Sequence, residues 1–137
     1  MTNTKEKGEV FKCNVCGNIV EVLHIGGGEL VCCGKKMEKL TEQTQDPNLG
    51  EKHVPIIERL QPSECKTQDG YLIKVGEIPH PMTKEHYIEW IEIVTIDGKR
   101  GKKYLKPGEK PEVKFHTRSK ILYSRAYCNL HELWKSK

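Results

Sequence analysis

Four of the chain's six cysteines fall within its first 33 residues, at Cys13, Cys16, Cys32 and Cys33. A segment this short cannot bury enough apolar surface to hold itself together, so its cysteines must do much of that work. Residues 1–12 are polar and charged and do not read as a secretory signal. In a reducing compartment, cysteines so placed bind metal in preference to forming disulfides. Cys13-Asn14-Val15-Cys16-Gly17 has the form of a metal knuckle. Two intervening residues let both sulfurs face one ion, and Gly17 relieves crowding where backbone amides turn toward them. Strand-like residues 19–23 lead through Gly26-Gly27-Gly28 to residues 29–31 and the second pair. This predicts a hairpin that returns the second pair to the first. Cys32 and Cys33 are adjacent, so their side chains tend to diverge and should widen one S–metal–S angle. Iron and structural zinc both suit four thiolates. His24, between the pairs, reads as a solvated polar residue.

A second set of metal-binding side chains is spread over the rest of the chain. Cys128-Asn129-Leu130-His131 places a thiolate and an imidazole three positions apart, able to close on one ion. His80-Pro81-Met82-Thr83-Lys84-Glu85-His86 offers two imidazoles on one loop, and Glu51-Lys52-His53 offers another. If these segments converge, one ion receives four nitrogens and one sulfur. Structural zinc closes with four ligands, and catalytic zinc usually keeps three plus water. Five ligands and a vacancy suit a six-coordinate metal, and imidazole with thiolate suits iron. The pattern points to a redox iron centre with one open face. His116, in mid-strand with no partner motif, reads as an ordinary histidine. Cys65, in a polar loop, reads as a free thiol.

The 137 residues are 36% apolar and 31% charged, which suits a modest core. No run approaches the roughly 18 apolar residues needed to span a bilayer, and a cytoplasmic location is expected. Residues 39–50 are polar, with Asp46-Pro47-Asn48 as a turn signal, and read as a linker between parts spanning 1–38 and 51–137. Beyond it, residues 54–60, 71–75, 87–96, 101–105, 112–117 and 121–127 are rich in β-branched and aromatic side chains. Asp69-Gly70, Asp97-Gly98 and Pro107-Gly108 punctuate them as turns. Residues 87–94 do not alternate cleanly, because Glu89 and Glu92 are three apart, which suggests a bulged strand. The expected fold class is all-β: a small metal-stapled domain, then an immunoglobulin-like sandwich.

The N-terminal segment resembles desulforedoxin, with one iron on four cysteines, the last two adjacent. The whole pattern resembles desulfoferrodoxin, the two-iron superoxide reductase, along essentially the full chain. The motifs that carry this are Cys13/Cys16/Cys32/Cys33, Glu51-Lys52-His53, His80 to His86, and Cys128 to His131. By that resemblance His53, His80, His86 and His131 are equatorial ligands of a catalytic iron and Cys128 is axial. Glu51 would take the sixth position in the ferric state, and Lys52 would sit over the ferrous vacancy. The implied reaction is one-electron reduction of superoxide to hydrogen peroxide, with the electron supplied by a rubredoxin-like donor. A homodimer is also implied. The stretch from Leu60 to Asp69, with Cys65, is longer than the family's usual turn and carries no implied role.

The ligand set agrees with that chemistry. Ferrous iron with an open position can bind a small anion and give it one electron, and a thiolate opposite pushes electron density toward it. A lysine beside the vacancy would attract the anion and orient a proton-donating water. Residues 1–38 carry five acids and five bases, so the net charge of +4 resides in the remainder. Two other functions use similar residues. A cupredoxin-like electron carrier takes two histidines, one cysteine and a weak axial methionine; here four histidines are available and the methionines are Met1, Met37 and Met82. A zinc-binding nucleic-acid module would need basic and aromatic residues clustered at the four-cysteine knob, which is neutral. No nucleic-acid or membrane partner is therefore expected.

Overall fold

Strands of two to eight residues, separated by turns, account for nearly all regular structure in the computed structural model, which describes residues 3–60 and 70–137. Residues 61–69, including Cys65, lie outside the described residues. The chain forms two units, Met1–Thr41 and Glu42–Lys137.

In the first unit, β1 (Val10–Lys12) is the middle of a three-stranded antiparallel sheet, with β2 (Ile19–Glu21) on one side and β5 (Glu38–Lys39) on the other. β3 (Val31–Cys32) and β4 (Lys35–Lys36) form a separate ladder of two residue pairs. This corrects the expected hairpin: β2 pairs with β1, not with the segment carrying the second cysteine pair. The Gly26-Gly27-Gly28 run separates β2 from β3 without a ladder between them. Cys33 and Gly34 join β3 to β4, with φ of 53° and 73°. Positive φ at both central residues is the two-residue turn that matches strand twist. The core is small, built on Phe11, Cys13, Val22 and Met37.

The second unit is a two-sheet sandwich. One sheet has the order β10-β7-β6, from β6 (Pro55–Arg59), β7 (Tyr71–Val75) and β10 (Glu112–Phe115). The other has the order β12-β11-β8-β9, from β8 (Ile88–Thr95), β9 (Arg100–Tyr104), β11 (Ile121–Cys128) and β12 (Glu132–Lys135). The strands within each of these sheets pair antiparallel. The core contains Ile73, Val75 and Val113 from the first sheet and Ile91, Ile93, Ala126 and Cys128 from the second.

Two local features position the site. Tyr127 pairs with Trp90 but Cys128 pairs with Ile88, so Glu89 is an extra residue in β8. This bulge explains the broken alternation, because one inserted residue moves the following side chain to the opposite face. Ile88 thereby joins the core beside Cys128. On the other face, Glu92 is 1% exposed and accepts hydrogen bonds from the equally buried Arg125 at 2.7 Å. Arg100 and Lys102 approach Glu92 at 3.6 Å.

Residues of the polar stretch 39–50 also take structural roles. Leu40 is buried, and Glu42 accepts from Arg125 at 3.2 Å. Gln43 forms an isolated parallel bridge with Trp134. Asp46 Oδ1 accepts the amides of Asn48 and Leu49, both at 2.8 Å. That turn leads into α1 (Gly50–His53), a single helical turn absent from the sequence-based expectation.

Candidate metal centres

The four cysteine sulfurs of the first unit lie within 4.8 Å of one another. Cys13 Sγ accepts the amides of Val15 and Cys16 at 3.4 Å, and Cys16 Sγ accepts that of Asn18 at 3.5 Å. Gly17, at φ 85°, makes the tight reversal that aims these donors. The Cys16 and Val15 amides hold the Cys13 thiol down to about 6 from its ordinary 9.0. The thiols of Cys16, then Cys32, push Cys33 up to about 12. Four such thiols cannot ionise together without a cation among them. Sulfurs on a tetrahedral ion with bonds of roughly 2.3 Å stand about 3.8 Å apart. Here Cys16–Cys32 is 3.5 Å and Cys32–Cys33 is 3.9 Å. The left-handed turn at Cys33 is what makes two adjacent side chains converge.

The second centre collects side chains from three segments of the sandwich unit. His53 ends α1 and donates from Nδ1 to the Leu49 carbonyl at 2.8 Å, which leaves Nε2 facing inward. His80 does the same through Nδ1 and the Pro81 carbonyl at 2.6 Å. His86 Nε2 is buried with no hydrogen-bond partner among the described residues. His131 faces the others through Nδ1, 3.1 Å from His53 Nε2 and 3.8 Å from Cys128 Sγ. Consecutive rings in the cycle His53, His80, His86, His131 have centroids 4.5–5.1 Å apart, and His53–His86 is a diagonal at 6.2 Å. Cys128 Sγ lies within 4.8 Å of the nitrogens of His53, His80 and His86.

This arrangement fits a six-coordinate ion. Two nitrogens at right angles on bonds of roughly 2.1 Å stand about 3.0 Å apart, against about 3.4 Å for a tetrahedron. His53 Nε2 is 3.0 Å from His80 Nε2 and 3.1 Å from His131 Nδ1. Burial pushes His80 down to about 4 and lowers His53 and His86, so these imidazoles are neutral and able to ligate at neutral pH. Burial raises the Cys128 thiol, against the opposing amides of His131 and Leu130. A cation is needed to ionise it there. Glu51 and Lys52, on α1, are exposed. Lys52 is close enough that its charge also lowers His86. A surface cleft of about 810 Å³ is lined by Asp46, Glu51, Ile57 and Glu77, but by none of the five ligands.

The chain belongs to the desulfoferrodoxin family. The model of the desulfoferrodoxin family matches residues 45–137, and that of its N-terminal domain matches residues 5–40. The chain is 53% identical over 132 residues to the desulfoferrodoxin of Syntrophotalea carbinolica, covering 96% of this chain and 98% of that one. It is 51% identical over 129 residues to the desulfoferrodoxin of Nitratidesulfovibrio vulgaris, covering 94% and 95%. Among solved structures it is similar to the superoxide reductase from Treponema pallidum, with a TM-score of 0.72, 26% identity and coverage of 94% and 96%. As a member of this family it carries two iron-binding groups, one of four cysteines and one of four histidines with a cysteine. Alternative roles as a cupredoxin-like carrier or a zinc module are not favoured.

Several residues that serve the second centre carry no metal-ligand signature. Trp134 is fully buried, stacks on His53 at 4.8 Å and donates Nε1–H to the His131 carbonyl at 2.9 Å. Asn129 accepts from the Tyr87 amide and donates to the Glu85 carbonyl, both at 2.9 Å, tying the His86 loop to the Cys128 turn. Gly76, at φ 87°, lies so close to α1 that an added Cβ would stand 2.7 Å from the Glu51 carbonyl oxygen. Its place between Val75 and Glu77, just after a strand, is the signal that could have marked it. The structure leaves His24 and His116 outside both metal groups.

Proposed function

We propose that this chain is a superoxide reductase. It reduces superoxide by one electron, with two protons, to hydrogen peroxide, and takes the electron from an external donor. The observation that carries this reading is the ring of four imidazoles with a buried thiol on one side. When bound, iron would be held by these five side chains and would supply the one-electron reductant and a place for the anion to bind. The chain's own residues do the rest. The Cys128 thiolate would supply the anionic donor of the set. The His131 amide donates to that sulfur at 3.4 Å and moderates its charge. Lys52 draws in superoxide and holds the water that delivers a proton. Glu51, exposed on α1 next to Lys52, would offer its carboxylate to the oxidised iron.

The donor is an electron carrier of the rubredoxin kind, and the chain works as a cytoplasmic homodimer. No helix among the described residues is long and apolar enough to cross a membrane. The test is pulse radiolysis of the reduced protein. One superoxide should be consumed per ferrous centre oxidised, with peroxide formed and no oxygen evolved. Cys128→Ser should remove both this reaction and the sulfur-to-iron charge-transfer band, while Cys65→Ser changes neither. Oxygen evolution, or equal damage from both substitutions, would sink the assignment.

A further inference from the structure

The turn that carries Cys128 and His131 ends at Glu132, whose φ is 65°. Residues with a Cβ seldom adopt this left-handed conformation, and it persists where the surroundings over-determine it. Two donors do so here. The His131 carbonyl accepts from Trp134 Nε1 and from Gln43 Nε2, each at 2.9 Å. A carbonyl's direction is set by ψ of its own residue and φ of the next. Pinning this oxygen from two sides therefore pins φ of Glu132.

The Gln43 side chain is not needed to keep residue 43 in place. Its amide donates to the Leu133 carbonyl at 3.1 Å, and its carbonyl accepts from Lys135 at 2.8 Å. The side-chain amide is a separate device, aimed at His131 and reaching the Leu133 carbonyl at 3.2 Å. What it steadies is the least adjustable of the four imidazole donors. His131 faces the centre through Nδ1, the ring nitrogen nearer the backbone, whereas His53 and His80 present Nε2. Only Cβ and Cγ separate that nitrogen from Cα, so the donor follows the backbone with little slack.

We infer that Gln43 is a positioning residue of the five-ligand centre. With the Trp134 indole it holds the His131 carbonyl, so that Glu132 stays left-handed and His131 Nδ1 faces Cys128 and His53. This rests on the reading of that centre as a metal site, and not on superoxide being the substrate. Groups that orient metal ligands from outside typically account for tenfold to hundredfold in metal affinity.

The experiment uses the full chain and measures Fe(II) and Co(II) affinity at the second centre by chelator competition, with the ferric absorption spectrum. Gln43→Glu exchanges a donor for an acceptor of the same shape, opposite two carbonyls. It should weaken metal binding about tenfold or more and shift the sulfur-to-iron charge-transfer band, while the four-cysteine iron keeps its spectrum. Gln43→Leu should act in the same direction, and it carries the test if the glutamate variant does not fold. Glycine takes a φ of 65° without steric penalty, so adding Glu132→Gly to Gln43→Leu should restore most of the lost affinity. Wild-type affinity and band position in Gln43→Glu would overturn the inference, and so would the absence of any recovery by glycine. A wild-type chain that binds no metal at this centre would refute the metal-site reading itself.

Discussion

The two metal centres are built by opposite means. In the first unit the sulfurs sit on turns or at the end of a strand, among strands of two or three residues, over a core of Phe11, Cys13, Val22 and Met37. One ligand, Cys13, is itself part of that core. In the second unit the ligands lie at the ends of a sandwich whose core is complete without them, apart from Cys128. The orienting contacts differ in part: both centres aim amide N–H groups at sulfur, and the second adds carbonyls that accept from imidazoles and an indole stacked on one. A small core leaves the metal to hold the fold, whereas a large one lets the fold hold the metal.

The sharpest break between the two should come from Cys13→Ser. Structural metal sites of this kind contribute on the order of 10 kcal/mol to folding, so the variant should lose the first iron and hydrogen-exchange protection over β1, β2 and β5. The second iron and most superoxide reduction should persist. Loss of all activity with the second iron retained would mean that the four-cysteine iron relays electrons.

The sandwich has its own weak point away from metal. Arg125→Leu leaves Glu92 buried without its nearest cation, a change that costs about 3–5 kcal/mol. Arg100 and Lys102, at 3.6 Å, should hold it near the lower end. Urea unfolding of the second unit would measure this, and the four-cysteine spectrum should not change. If both centres failed together, the units would not be independent.

Lys52→Ile probes function within the stable unit. An ammonium about 6 Å from an incoming anion contributes roughly 1–3 kcal/mol at intermediate dielectric, or about tenfold to hundredfold in rate. The second-order rate with superoxide should fall by that factor while iron content and spectrum hold. The wild-type rate should fall with ionic strength, and the variant should lose part of that dependence. An unchanged rate and salt slope would remove Lys52 from the site.

The smallest effect is a pH slope in the metal-free protein. His80 titrates at about 4 in the folded state against an ordinary 6.5, and His53 and His86 shift the same way. Between those values the unfolded chain binds more protons, so the stability of the second unit should rise with pH and level off above about 6.5. For His80 alone the slope cannot exceed about 1.4 kcal/mol per pH unit. Bound iron should flatten it, because a ligated imidazole does not titrate. A slope that survives iron loading would assign it to other groups.

Both ligand sets could be read from residue type and spacing, because metal chemistry restricts donors to few side chains and short motifs bring them together locally. The strands of the sandwich, including the bulge that Glu89 and Glu92 betray, were legible for a similar reason: local alternation records which face is buried. What spacing could not show was how separate segments meet. The pairing of β2 with β1 and the left-handed Cys33 are short-range but leave no mark in residue spacing, and the stacking of Trp134 on His53 joins residues distant in sequence. β12 and α1 escaped notice because four residues are too few to display a period. The polar stretch 39–50 looked like free chain, yet Glu42 and Gln43 are bound by Arg125 and His131, more than 80 positions away. Sequence alone determined which atoms can bind metal; only the tertiary structure decided their directions, because hydrogen bonds and packing across that distance leave no local pattern.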